Sequence, residues 1–592
     1  MPNLIELRYN MQFSKVCLVF DAMEETASRL ALTDLLAKLF SETDKTEVKK
    51  LVYLCQGRIS PQHTGIELGM GEKLAEQAIS LASGAKAEEI EKLYKKSGDL
   101  GNTAQEVLAK RTQHSLTQHE LTIAKVYDNF YKIATISGQG SQDTKIKLLA
   151  ELLVNSAETE PKTIIRFVTG RLRLGTADAT ILDALSVLKT GTKELRPSLE
   201  RAYNLTSDLG LIAEIFYKDG LTGIEKIIPI PLNPIRPALA ERLADAAAII
   251  EKLGECVVEA KYDGFRLQCH KDGDNVAIYS RKQEPMTHMF PDLVQAIKQQ
   301  VKVKTAIFEG EAIAFDEDTQ SYLPFQTTIT RKRKHGVSAK AKEIPLVLFA
   351  FELLYADGID YTQKPFHERR QKLEKIIKNG KIIQHSKIIT AKTPEQLQIF
   401  FDECVANGLE GIIAKDVNAL YIAGARKFAW IKLKRSYQGN LADTIDAVVV
   451  GFYRGKGKRT EFGFGGLLTA VYDDESNTFK TIAKVGTGFT EEQMQWFNDT
   501  LSKIAVKEKP KNVESNIEPD LWVTPQLVVT LTADEITRSP THTCAMKNVE
   551  GLALRFPRLT QIREDKNATD ATTEKEIVDL FNLQKNIQLR DA

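Results

Sequence analysis

Between residue 11 and about residue 225 the apolar positions recur every three or four residues. SRLALTDLLAKLF (28–40) and IKLLAELLVNS (146–156) show this spacing, and polar, cap-forming stretches such as SETDKTE (41–47) separate such segments. A period near 3.6 predicts amphipathic helices throughout the region. IIPIPLNPIRP (227–237) then brings four prolines into a short connector. Proline locks φ and has no amide donor, so this segment is extended and marks a first boundary. From about 250 the period shortens to two: NVAIYSR (275–281), AIFEGEAIAFD (306–316), LVLFAFELLY (346–355) and LEGIIAKD (409–416) read as strands with a few helices between them. Near 440 the pattern changes again. DAVVVGFYRGKGKRTEFGFGGLLTAVYDD (446–474) and PQLVVTLTADEI (525–536) read as strands joined by Gly- and Lys-rich turns, the pattern of a small closed barrel. Three domains are expected, over residues 11–228, 229–440 and 441–592.

Composition narrows the class without choosing a function. A chain of 592 residues is too long for one ordinary core, and its 80 basic residues nearly balance 79 acidic ones. Any polyanion must therefore be met by local clusters rather than by overall charge. The cysteines at 17, 55, 256, 269, 404 and 544 never fall at C-x-x-C spacing, which argues against structural zinc and fits a reducing compartment. No apolar run approaches the roughly 18 residues of a membrane span, and MPNLIELRYNM lacks the basic and apolar regions of a signal peptide. The cytoplasm is the expected location.

Candidate chemistry concentrates in VVEAKYDGFRLQC (257–269). Strand parity puts Glu259 and Lys261 on one side and Val258, Ala260 and Tyr262 on the other. Asp263-Gly264 has the composition of a tight hairpin turn with positive φ, and the returning strand would present Arg266 and Gln268 away from Phe265, Leu267 and Cys269. An ordinary lysine titrates near 10.4, so only about one in 2,500 is neutral at pH 7. To act as a nucleophile the amine needs neighbouring cations or desolvation. A solvated strand with a structural ion pair is the competing reading of this segment.

KYDGFR (261–266) follows K-x-D-G-x-R, whose four fixed letters chance supplies in a chain this long on the order of a few times per thousand. It resembles the signature of the covalent nucleotidyltransferases: ATP-dependent DNA ligases, RNA ligases and mRNA capping enzymes. Further segments follow in that superfamily's order. YSRKQEPMTHMFPDL resembles the segment in which Arg281 would contact the nucleotide, and FEGEAIAFD the motif whose acid is Glu311. PFQTTITRKRK and LFAFELLYADG resemble DNA ligases specifically, with Phe351 as the ring against adenine. LEGIIAKD carries Glu410 and Lys415, RKFAWIKLKRSY carries Arg426, Lys432 and Lys434, and LALRFPRLTQIREDK resembles the last motif, with Arg555, Arg558 and Lys566. RFVTGRLRLGTADATILDAL and SRLALTDLLAKLF resemble the helical DNA-binding domain of archaeal and eukaryotic replicative ligases. The resemblance begins at Met11, a candidate start, and leaves the first ten residues outside it. One departure is Thr530, where the family is expected to carry glutamate.

The resemblance implies an all-α DNA-binding domain, an α+β nucleotidyltransferase (ATP-grasp-like) adenylation domain and an all-β OB-fold domain. It implies ATP and Mg2+, with Lys261 as nucleophile and Glu259 accepting from the exocyclic amine of adenine. Arg266, Arg281, Phe351, Arg426, Lys432 and Lys434 become nucleotide contacts, and Glu311 and Glu410 metal ligands, with Glu311 also near the nucleotide. The partner is nicked duplex DNA, sealed during replication, repair and recombination. A monomer is expected, nucleoid-associated in a prokaryote, and a sliding clamp enters only through the family. Bland readings stand beside these roles. Phe351 lies in a nearly continuous apolar strand, Lys432 and Lys434 could guard an edge strand, and the basic runs 331–334, 454–459 and 169–175 could be solvated loops rather than phosphate contacts. Rival enzymes are a capping guanylyltransferase or an RNA ligase, against which the long helical region counts, and an NAD-dependent ligase, which should carry four zinc-binding cysteines. A non-catalytic nucleic-acid clamp is the rival from another class.

Overall fold

The computed structural model describes residues 11–110, 120–316, 321–323, 325–333, 335–407, 409–434, 444–455, 461–533, 535–547 and 550–588. It divides into two compact units, Met1–Arg236 and Pro237–Ala592, with the boundary in the sequence at the last proline of the connector. Among the described residues no helix is long and apolar enough to cross a membrane.

The first unit is helical from Phe13–Glu24 to Leu209–Glu225. Ser28, Asp99, Thr122 and Asp208 each accept a hydrogen bond from an amide of the first turn, whereas the polar stretch 41–47 leads into the Val48–Cys55 helix without a side-chain cap. Leu32, Leu36, Leu39 and Phe40 of the Arg29–Ser41 helix are buried, as are Leu149, Leu152 and Leu153 of Ser141–Asn155. TGRLRLG (169–175) joins two helices, and its arginines are paired within the unit. Arg171 binds Glu72 at 2.6 Å, and Arg173 binds Asp99 at 3.1 Å.

The second unit begins with twelve strands: β1 (Leu239–Arg242), β2 (Cys256–Lys261), β3 (Phe265–Asp272), β4 (Asn275–Ser280), β5 (Thr305–Asp316), β6 (Ser321–Tyr322), β7 (Leu346–Ala356), β8 (Ile359–Asp360), β9 (Ile383–His385), β10 (Ile388–Ala391), β11 (Gly411–Asp416) and β12 (Arg426–Lys434). They form two sheets. One runs β1-β12-β11-β2-β10, the other β4-β3-β5-β7-β8, with β6 on β5 and β9 on β7. A shared core joins Val258, Ala260 and Ile412 of the first sheet to Ile313, Val347 and Phe349 of the second.

This topology corrects the hairpin expected at Asp263-Gly264. β2 and β3 belong to different sheets, so the turn carries the chain from one to the other. Neither residue has a positive φ. Gly264 is needed for close approach instead, because a Cβ there would lie 2.2 Å from the Ala312 carbonyl oxygen. Lys261 therefore ends its strand at the gap between the two sheets.

The C-terminal part is built mainly of strands: β13 (Ile445–Tyr453), β14 (Gly466–Asp473), β15 (Thr478–Val485), β16 (Ala505–Val506), β17 (Val513–Glu514), β18 (Leu521–Val523), β19 (Val528–Thr532), β20 (Glu535–Ser539), β21 (Gly551–Arg555) and β22 (Arg558–Arg563). β16-β18-β13-β14-β15-β17 form one sheet, β19 bridges β13 to β22, and β20 pairs with β21. Two helices accompany them, Glu491–Lys503 with a Thr490 capping box, and Glu574–Gln588. The basic run 454–459 lies mostly outside the described residues, as do Lys334 and the expected boundary at 440. Arg331, read as a phosphate contact or else as part of a solvated loop, is buried instead and binds Asp292 at 2.8 Å and the Ile344 carbonyl at 2.6 Å.

Candidate active site

A cavity of about 210 Å³ opens between the two sheets and the C-terminal part, and Lys261, Glu311, Phe351, Glu410, Lys432 and Lys566 are among its walls. Register builds its centre. Lys261 on β2 and Lys434 on β12 both pair with Gly411 of β11, the strand between them. Glu410, one residue before that strand, consequently sits between two amines and forms ion pairs with both Lys261 and Lys434. Gly411 permits this, since at φ +150° a Cβ would stand 2.1 Å from the Leu433 carbonyl oxygen. Burial alone would raise the Glu410 carboxyl, but the two ammonium groups outweigh it and hold the group well below the usual carboxylate range.

Glu311 on β5 contrasts with Glu410. Burial pushes its carboxyl up to about 7, only partly opposed by Lys261 and Arg266. No hydrogen bond or ion pair from a described residue reaches it, although it is the register partner of Arg266. Arg266 turns instead to Glu309 at 2.8 Å and to the Ala238 carbonyl at 2.7 Å. Tyr421 closes this network. Its hydroxyl donates to Glu309 at 3.0 Å and accepts from the Ala238 amide at 2.8 Å.

Phe351 and Trp430 form an aromatic corner, edge to face at 6.1 Å, with the Arg266 guanidinium 5.5 and 5.4 Å from their ring centres. Behind them the buried Lys415 ammonium lies 5.1 Å from Phe351 and 4.4 Å from Trp430, and binds Glu259 at 2.6 Å. Glu259 is itself 2% exposed and accepts from Ser386 at 2.7 Å and Arg370 at 3.2 Å.

The remaining cations meet carboxylates from the C-terminal part. Ile431 and Leu433 of β12 are buried in the core, which leaves Lys432 and Lys434 on the cavity side. Glu576 binds Arg426 at 2.7 Å and Lys432 at 3.3 Å. Burial lowers the Lys432 amine to about 7 despite that partner. Lys566 pairs with Asp446, and burial brings its amine down to about 8. Arg281 faces Asp570 at 3.7 Å. Thr530, the noted departure, is the cross-strand partner of Asp446 and donates to it at 2.6 Å, so an acid stands beside this position on the neighbouring strand.

All of Glu259, Lys261, Arg266, Arg281, Glu311, Phe351, Glu410, Arg426, Lys432 and Lys434 line the one cavity, together with Lys566. Arg555 and Arg558 do not line it, and Arg555 is exposed and paired with Glu535 at 2.9 Å. From the last motif Arg563 and Asp565 reach the cavity instead. Reading the sequence missed Glu309, Tyr421, Trp430, Asp446 and Glu576. A hint existed for Glu309, which precedes Glu311 by two residues and so shares its side of β5.

A divalent cation fits one side of this cavity. Mg2+ is typically held by one or two carboxylates plus phosphate oxygens and water. The desolvated Glu311 carboxylate suits that role, whereas Glu410 would first have to release its lysines. Among the described residues there is no group of three or more His, Cys, Asp or Glu that could hold a metal ion.

A covalent nucleotidyltransferase would need this set of amines, carboxylates and aromatic walls. Three family models match the chain: DNA ligase N terminus over residues 12–186, ATP dependent DNA ligase domain over 237–434, and ATP dependent DNA ligase C terminal region over 460–566. The chain is 47% identical over 584 residues to a probable DNA ligase of Dictyoglomus turgidum, covering 98% of this chain and 99% of that protein. It is 43% identical over 592 residues to the DNA ligase of Aeropyrum pernix, covering 97% and 98%. Among solved structures, mycobacterial DNA ligase D complexed with ATP and MES is similar at 22% identity and a TM-score of 0.34, over 57% of this chain and 97% of that one. The chain belongs to the ATP-dependent DNA ligases. It is an enzyme of ATP-driven nick sealing, with Mg2+ as the family's cofactor.

Proposed function

We propose that Lys261 carries the adenylate and that the surrounding residues divide the work of a three-step reaction. The observation that carries this reading is the placement of the Lys261 amine beside Glu410 in the cavity that also holds Glu311. In the first step the Lys261 Nζ attacks the α-phosphorus of ATP, a P–N bond forms, and the bond to the β-phosphate oxygen breaks to release pyrophosphate. Glu410, kept charged by Lys434, orients Lys261; the ammonium gives one proton to water before it attacks, and the second proton, lost as the P–N bond forms, leaves with the pyrophosphate. Arg266 and Phe351 hold the sugar and base, with Glu259 accepting from the exocyclic amine. Arg281, Arg426, Lys432 and Lys566 meet phosphate oxygens. Glu311, with Glu410 as a second carboxylate, would hold Mg2+, which would supply charge neutralisation for those oxygens.

In the second step an oxygen of the 5′-phosphate at the nick attacks the adenylate phosphorus, the P–N bond breaks, and the Lys261 nitrogen leaves with the bonding pair and a proton from water as the free amine. In the third the 3′-hydroxyl attacks that 5′-phosphorus, loses its proton, and displaces AMP. For DNA to enter, the carboxylates of the C-terminal part must leave Arg426 and Lys432, a gating step of the kind common in enzymes that enclose their substrate.

The finer architecture belongs to the same reading: an all-α DNA-binding domain over 11–228, an adenylation domain over 229–440 and an OB-fold over 441–592. A monomer in the cytoplasm, at the nucleoid in a prokaryote, and any sliding-clamp contact rest on the family alone. Incubation of the full chain with α-labelled ATP tests the core claim. Label should be retained on Lys261 and chased by pyrophosphate or by nicked DNA. Label that persists in Lys261→Ala would overturn it.

A further inference from the structure

We propose that Ser386 and Arg370, which do not line the cavity, set the enzyme's preference for a 6-amino purine by fixing Glu259 as a pure hydrogen-bond acceptor. The inference rests on the reading of Glu259 as the group that meets the base.

The direction of each proton follows from the chemistry of the donors. Arg370 Nη1 lies 2.8 Å from Ser386 Oγ and 3.2 Å from Glu259 Oε1. A guanidinium can only donate, so the Ser386 oxygen is the acceptor of that bond, and its own hydroxyl proton points to Glu259 Oε1 at 2.7 Å. Arg370 is held in turn by the Ser386 carbonyl at 2.9 Å and by Glu374 at 2.7 Å. On the other oxygen, Lys415 donates to Glu259 Oε2 at 2.6 Å and to the Phe351 carbonyl at 3.1 Å, which ties the acid to the aromatic wall. A carboxylate offers about four lone-pair sites. Among the described residues three are taken, by N–H or O–H groups of Ser386, Arg370 and Lys415 that all donate to the acid, and one remains for the ligand.

That last site accepts a proton and offers none. A purine with an amino group at C6 supplies an N–H to it. A 6-oxo purine brings a carbonyl oxygen against a carboxylate, and neither has a proton to share. Sites built around a buried hydrogen bond reject the mismatched analogue more strongly than apolar pockets do. Ser386 follows β9 and Arg370 lies on the Phe366–Ile376 helix, and neither belongs to a motif that carried the family resemblance. Both are positioning residues that act through Glu259.

The test measures labelling of the full chain by α-labelled ATP and by α-labelled inosine triphosphate, as kcat and KM for each. Ser386→Ala should lower the ATP-over-ITP ratio of kcat/KM by about tenfold, mainly through a higher KM for ATP, as expected when a charged group loses a hydrogen-bond donor. Ser386→Thr, which keeps the hydroxyl, should restore the ratio, and Arg370→Lys should lower it independently. Glu259→Gln separates this inference from the reading beneath it. If Glu259→Gln leaves the ratio unchanged, Glu259 does not meet the base and both fail. If Glu259→Gln collapses the ratio while Ser386→Ala and Arg370→Lys leave it at the wild-type value, only the present inference is overturned.

Discussion

The floor and the front of the cavity hold similar charges in different ways. On the floor, cations and carboxylates both come from residues between 237 and 434. Arg369 binds Glu352 through two hydrogen bonds with both side chains 0% exposed, and Lys415 binds Glu259 at 0% and 3%. At the front, Arg426, Lys432 and Arg281 take their carboxylates from Glu576 and Asp570, near the end of the chain. Removing a floor carboxylate strands a buried cation, which is costly, so the floor is framework. A front carboxylate can be replaced by a phosphate oxygen without leaving any cation unpaired. On the proposed reading, the ligand's phosphates take the place that Glu576 and Asp570 hold at the front.

Lys261 lies between these regions, and its removal should have the largest effect. Lys261→Ala is expected to lose self-labelling by α-labelled ATP by more than about a thousandfold, since no other amine occupies that position. It should still join a nick whose 5′-phosphate already carries AMP, because the remaining step needs the cavity's cations and not the amine. Gel assays on the two substrates check both halves. Failure on the pre-adenylated nick would assign Lys261 to the framework instead.

Breaking the floor should cost stability. Glu352→Ala leaves Arg369 buried without its partner and is expected to destabilise the fold by about 3–5 kcal/mol, read as a lowered Tm and denaturation midpoint. The sign with pH follows. Burial would raise the Glu352 carboxyl, but Arg369 overrides it and the group titrates below its usual value. Its contribution is present above about pH 4.3, the unfolded value for glutamate, and is lost as pH falls through the lower folded value. That part of the acid slope in stability should vanish in Glu352→Ala.

How much of this was legible beforehand depended on the range of the contact. Lys432 and Lys434 could be placed on one side of β12, because a period of two survives in the sequence and Ile431 with Leu433 marks the other side. That both lysines flank Glu410 could not, since it depends on the register that sets Gly411 against Lys261 and Lys434. Asp263-Gly264 misled because its composition suits a hairpin, while the sheets decide that β2 and β3 part company there. Arg331 misled for the opposite reason: three of its neighbours in sequence are also cations, yet Asp292 and Ile344 draw it inside. Glu576 gave no local signal. It is one acid in the polar run TTEKEIVDL, and only the folded chain brings it across 144 residues to Lys432.

Glu311 belongs to neither region, being a carboxylate with no cation bonded to it, and it gives the comparison a pH axis. Its carboxyl is raised to about 7 by burial, so below that pH it is mostly protonated and a poor ligand for Mg2+. The rate of Lys261 labelling at limiting Mg2+ should rise with pH through about 7, by nearly tenfold per unit on the acid side. Higher Mg2+ competes with the proton and should move the midpoint to lower pH. Glu311→Gln should lose this dependence on Mg2+. A midpoint that ignores the metal concentration would separate Glu311 from metal binding.

The smallest effect is also the sharpest test of the front. Glu576 binds Arg426 and Lys432, the cations that meet phosphate oxygens in the proposed reaction, so on that reading ATP has to displace it. The Glu576→Gln side chain keeps its volume but gives up the charge. Two opposing terms set the outcome: Arg426 and Lys432 lose a buried charged partner, since Glu576 is only 4% exposed, and ATP no longer competes with a carboxylate. Stability of the free enzyme should therefore fall by about 1–3 kcal/mol, less than for Glu352→Ala because the amide still hydrogen-bonds, while KM for ATP in the labelling reaction should fall by a few-fold. Thr573 also matters here, because its amide and hydroxyl donate to Glu576 at 2.9 and 3.1 Å and keep the acid aimed at the cavity. Thr573→Val should reproduce the KM effect in weaker form. If Glu576→Gln instead raises KM for ATP, the last helix completes the nucleotide site rather than imitating its ligand, and front and floor are built on the same plan.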